Sequence, residues 1–168
     1  MPLKTSDSTT QVSAPSLYDT DFLLWIETTA ALLKNRRFDH LDLDNLIEEI
    51  ESLGRSDRRA VLSYLARLCE HLLKIKYWEA ERQQCLRGWN IETNNFRRAI
   101  HRLLQDSPSL RPHLLENFQS EYQDARDNVL IASGIDPTLI PEKPFFSLDQ
   151  ALEKDWLPLA SALASEEE

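Results

Sequence analysis

Two residue pairs have the types and spacing that could do chemistry, Arg67 with His71 and Arg97 with His101, each a histidine four positions after an arginine. Residues four apart share one face of a helix, so either pair could set a guanidinium and an imidazole beside the same phosphate. That arrangement would suit a nucleic-acid-processing protein or a toxin–antitoxin component. The spacing is tighter than in toxin-type helical ribonucleases, and such residues more often sit at ordinary boundary or solvent positions. No residue is therefore assigned a catalytic role, and the balance leans away from an enzyme.

Other chemistry lacks its residues. Glu-x-x-His, which di-iron bundles require on two helices, occurs nowhere, and His40, His71, His101 and His113 form no pair at metal-ligand spacing. With Gly54, Gly88 and Gly134 as the only glycines, there is no phosphate loop, nucleophile elbow or dinucleotide fingerprint. Neither metal nor cofactor is expected. Cys69 falls on an apolar face and Cys85 stands alone, which fits thiols in a reducing cytoplasm. No run approaches the roughly 20 apolar residues of a membrane span, and the start lacks a basic, then apolar leader.

The net charge of -9 disfavours nucleic acid and anionic membrane as partners. Charge is also segregated. Seven acids oppose Arg55 alone between Asp39 and Asp57, whereas seven bases oppose Glu79, Glu81 and Glu92 between Lys74 and Arg102. The expectation is that these stretches face each other, with Glu49 or Glu51 pairing Lys76 or Arg97 as a structural ion pair. Glu48, Lys74, Trp78, Ile91, Arg98 and Arg102 remain candidates for a binding face. Trp25 and Trp89 read as core, while Trp78 with Trp89 supports a third reading, a small-ligand sensor.

The elements that must position these groups are helices. At 168 residues, 42% hydrophobic and 28% charged, the chain has the profile of one soluble domain. Residues 1–17, rich in Ser and Thr, read as a disordered lead-in to a helical domain over 18–158, and 159–168 as a flexible acidic tail. A first helix is predicted from an N-cap at Thr20 to about Asn35. A second runs from Asp42 to a stop at Gly54, its stripe of Leu43, Leu46, Ile47, Ile50 and Leu53 forming core. The third, Asp57 to Trp78, carries an apolar arc too wide for a surface helix and is predicted to be central. Arg59, Ser63, Arg67, Glu70 and Lys74 line its exposed side. After a polar connection over Glu79 to Gln84, a fourth helix carries Trp89, Thr93, Phe96, Ile100, Leu103 and Leu104 inward, with Ile91 on the far side beside Arg98 and Arg102. DSPSL from Asp106 breaks the pattern, Ser109 caps a fifth helix, and Gly134 ends it. Pro137, Pro141 and Pro144 then lay Leu139, Ile140, Phe145 and Phe146 across the bundle, and Ser147 with Gln150 forms a capping box for a short last helix.

Several separate blocks resemble one bacterial family, catalogued as domain of unknown function 29. They are YDTDFLLW from Tyr18, LDLDNLIEEIESLG ending at Gly54, HLLK from His71, DSPSL from Asp106, EYQDAR from Glu121, PEKP from Pro141 and DWLP from Asp155, spanning about residues 18–158. Ile75 and Lys76 depart from the family's usual Trp and Gln, as does the QQCLRG run before Trp89. The resemblance implies an all-α fold and transfers no catalytic residue.

The combined expectation is an all-α, five-helix bundle with a Pro-rich C-terminal wrap and a short final helix. Its expected role is a cytoplasmic, non-enzymatic module that binds another protein, with a homodimer through the fourth helix around Ile91 as one form.

Overall fold

The computed structural model describes residues 16–158, and every regular element among them is helical. The predicted lead-in up to residue 15 and the tail from residue 159 lie outside the described residues. Six α-helices occur in order: α1 (Leu17–Thr20), α2 (Phe22–Lys34), α3 (Leu43–Tyr77), α4 (Glu79–Asp106), α5 (Leu110–Ser133) and α6 (Leu148–Leu152), with single 3-10 turns at Phe38–His40 and Pro137–Leu139. No helix of the described residues is long and apolar enough to cross a membrane. The chain divides into two compact units, one ending at Ser52 and the other beginning at Leu53.

Helix starts follow side-chain chemistry. Ser16 caps α1 in a reciprocal box with Asp19, and the Asp21 carboxylate, rather than Thr20, accepts the Leu24 N–H at the start of α2. The Ser147–Gln150 capping box opens α6 as its sequence indicated. Ser109 precedes α5 but makes no side-chain cap. At the other end of α5, Gly134 takes the left-handed conformation, φ 66°, that ends a helix without a Cβ penalty.

Two predicted boundaries dissolve. The separate second and third helices are one 35-residue helix, α3, which continues through Gly54. A glycine stops a helix by entering the left-handed region, and among the described glycines only Gly134 does so. With no proline following Gly54, the helix tolerates it at about 1 kcal/mol. Likewise, Glu79 to Gln84 is not a connection but the opening of α4. The chain turns only at Trp78, where Arg82 Nη2 donates to the Lys76 carbonyl at 2.6 Å and satisfies the end of α3.

In the second unit, the wide arc on α3 is the core it was expected to be. Val61, Leu65, Leu68, Cys69, Leu72 and Leu73 are fully buried with Ile100 of α4 and with Leu114, Tyr122, Ala125 and Val129 of α5. Ile140, Phe146, Leu148, Ala151 and Leu152 close this core from the C-terminal segment. Prolines cannot ladder, so side chains supply the donors for that segment. Tyr122 Oη donates to Pro141 O at 2.9 Å, and Arg126 donates to Ile140 O at 2.9 Å and Pro137 O at 2.7 Å. Leu139, expected to lie over the bundle, is exposed within its 3-10 turn.

Candidate functional site

Arg97 and His101 do come together, but around backbone rather than a substrate. Arg97 is 3% exposed; its Nε donates to Ala151 O at 2.8 Å and its Nη2 to Trp156 O at 2.6 Å. His101 Nε2 reaches Leu152 O at 2.9 Å, and because a carbonyl only accepts, that nitrogen carries the proton. The pair thus caps the carbonyl end of α6, where a helix lacks intrahelical donors and its dipole favours a cation. Burial lowers the Arg97 pKa, opposed by the charges of Asp155 and Glu153. A cleft of about 240 Å³ beside the pair is lined also by Arg98 and Lys154.

Arg67 and His71 are occupied locally too. His71 Nδ1 donates to Arg67 O one turn back at 2.9 Å, and its ring lies 5.5 Å from that of Phe96. Burial holds the His71 pKa below its ordinary value. Glu70, placed by the sequence on the exposed side, is buried instead, taking Lys74 Nζ at 2.6 Å and Arg67 Nη1 at 3.4 Å. The favourable acid-before-base order at i, i+4 was the available signal for the Glu70–Lys74 pair. Lys74 is therefore spent on an ion pair.

The remaining polar expectations resolve differently. Glu49, Lys76 and Arg97 each have a partner other than the one their charges suggested. Tyr18 Oη donates to Glu49 Oε1 at 2.6 Å, and this bond, before any other cause, pushes the phenol pKa up to about 12. Lys76 sets its ammonium 4.0 Å from the Phe145 ring centroid, a cation–π contact. Glu51 lies exposed on α3. Trp78 and Trp89 stand 6.1 Å apart, and Trp78 lines a groove of about 470 Å³ with Tyr77, Ile135 and Leu139, but Trp89 is not among its lining residues. Arg98 and Arg102 are exposed on α4, and Ile91 is 51% exposed. Among the described residues, no three His, Cys, Asp or Glu side chains gather as a metal set.

A different surface stands out in the first unit. Much of the stripe expected as core is open here: Ile47 is 53% and Ile50 60% exposed, while Leu46 is half-buried. Leu43, Phe22, Leu23, Leu24, Ile26, Leu33 and Phe38 are exposed as well, and only Trp25 and Thr29 are buried in α2. Tyr18, Phe22 and Trp25 form a small aromatic cluster with ring centroids 5.0 to 5.7 Å apart. Trp25 Nε1 is buried there without a hydrogen-bond partner. Glu48 lies exposed on the polar side of α3. Periodicity marked this apolar face correctly; it carried no information on what covers it.

These features define an all-helical protein whose arginine–histidine pairs are engaged by its own backbone and carboxylates and whose first unit carries a group of exposed apolar side chains. The family model described as Domain of unknown function DUF29 matches residues 17–157, and the chain belongs to that family. No curated protein and no solved structure matches it.

Proposed function

We propose that the chain is a cytoplasmic, non-enzymatic protein-interaction module working through the apolar face of its first unit. The observation carrying this reading is the run of exposed Leu, Ile and Phe side chains on α2 and the start of α3. Soluble monomers rarely leave apolar patches of more than a few hundred Å² uncovered, and larger ones mark partner surfaces. Exposed Ile91 is a single residue on α4, a weaker candidate for the same role. Two groups on which catalysis would depend, Arg97 and His101, are committed to carbonyls of the C-terminal segment.

The test compares the full chain with an Ile47→Asp/Ile50→Asp variant for association with any protein, itself included, by affinity capture and light scattering. Association lost in the variant supports the reading. Cleavage of RNA by the pure protein, abolished in His71→Ala or His101→Ala, would overturn it in favour of a nucleic-acid-processing role.

A further inference from the structure

In the second unit, the cleft between α4 and the end of α6 contains a guanidinium without a counter-ion. Arg97 is 3% exposed, so its charge has almost completely left water, a costly state for an ion that is not paired. Its hydrogen bonds go to neutral oxygens: the Ala151 and Trp156 carbonyls and, at 3.4 Å, Asn94 Oδ1. Among the described residues no carboxylate lies within 4.0 Å of its nitrogens, and the charges of Asp155 and Glu153 act from beyond that distance. A guanidinium carries five N–H groups. One on Nε, one on Nη2 and one on Nη1 are engaged, so Nη1 and Nη2 each keep one for a further acceptor.

The cleft, about 240 Å³, surrounds this buried cation with others. Arg98 and Lys154 line it from exposed positions, and the bond that Arg98 makes is to the neutral Asn95 amide. Three bases, Arg97, Arg98 and Lys154, therefore face one acid, Asp155, an excess of two positive charges in a chain whose net charge is -9. That excess calls for an anion, and the backbone favours one kind. Phosphate sites are commonly built on the N–H groups of a helix start. These walls come instead from the middle of α4, where backbone N–H groups are taken up within the helix, and from the carbonyl end of α6. A carboxylate needs only two N–H donors, as Arg97 retains, and Leu152 offers an apolar wall to a short carbon chain.

We propose that this cleft binds a small dicarboxylate, with one carboxylate on the free N–H groups of Arg97 and the other between Arg98 and Lys154. The bound acid supplies the counter-ion that Arg97 lacks and ties α4 to the α6 wall, which His101 already holds through Leu152 O. Every residue involved belongs to the second unit, so the site stands or falls separately from the apolar face of the first.

Succinate is the probe, titrated into the full chain by calorimetry at about 0.15 M salt, where diffuse charge attraction is screened. The expected result is one site with a dissociation constant of about 1 mM or lower, and a melting temperature that rises with succinate concentration. Acetate and inorganic phosphate should bind at least about tenfold more weakly, and uncharged dimethyl succinate should give no signal. Because Arg97 also holds the C-terminal segment, the exposed pair carries the mutational test. Arg98→Gln/Lys154→Gln should weaken succinate about tenfold or more with unchanged circular dichroism, and Asp155→Asn should strengthen it about threefold. Lys143→Gln, an exposed base outside the cleft, should leave it within about twofold. No succinate binding, or binding indifferent to Arg98→Gln/Lys154→Gln, overturns the proposal. Phosphate or acetate held as tightly as succinate overturns the dicarboxylate assignment, and an equal loss in Lys143→Gln marks diffuse attraction and overturns the site.

Discussion

One helix, α3, serves the two units in opposite ways. Beyond Leu53 its apolar positions, Val61, Leu65, Leu68, Leu72 and Leu73, are sealed by α4, α5 and the C-terminal segment. Before it, Leu43, Ile47 and Ile50 repeat the same helical period and stay open to solvent. An amphipathic stripe therefore states that a face wants cover. Which element provides it depends on what the rest of the chain can bring there, and the second unit brings three helices and a proline-bent strap.

Truncation tests this contrast most severely. Leu72→Ala should cost about 2 to 5 kcal/mol in urea unfolding, since a sealed site cannot refill the cavity. Ile50→Ala, measured in dilute protein where no partner is bound, should cost less than about 0.5 kcal/mol. Equal losses at the two positions would erase the distinction between the units.

Arg97→Met sharpens the account of the closed unit. Removing the guanidinium strands the Ala151 and Trp156 carbonyls, for an expected loss of about 2 to 4 kcal/mol with faster hydrogen exchange in α6. A loss confined to activity on some substrate, with stability unchanged, would return Arg97 to the catalytic candidates.

In the first unit, Tyr18→Phe should remove a tyrosine that titrates near 12, seen as lost phenolate absorbance at high pH, because Glu49 opposes ionisation of the phenol it accepts from. An unchanged titration would mean that the Tyr18–Glu49 bond does not persist in solution.

The smallest effect concerns His71. Its folded pKa lies below the ordinary 6.5, so the unfolded chain takes up the proton first as pH falls. Stability from this group is therefore complete above about pH 6.5 and declines as pH drops below it toward the folded value. His71→Gln should flatten that slope in thermal unfolding followed from pH 7 to 5; an unaltered slope would place the pH dependence elsewhere.

Local chemistry fixed much of this protein without reference to its neighbours. The all-helical class, the capping box at Ser147, the left-handed stop at Gly134, the DSPSL break and the wide arc of Val61 to Leu73 each depend on a few residues and on helical periodicity. The family likeness was legible for the same reason, as ordered blocks from Tyr18 to Asp155. Tertiary structure decided what local pattern leaves open. Whether Gly54 ends a helix or passes through it, whether Glu70 meets water or Lys74, and whether Arg97 faces a phosphate or the Ala151 and Trp156 carbonyls all turn on groups drawn in by the fold. The stripe of Leu43, Ile47 and Ile50 marks the limit most clearly, because amphipathicity is a property of one helix, while burial is a property of that helix together with whatever comes to rest against it.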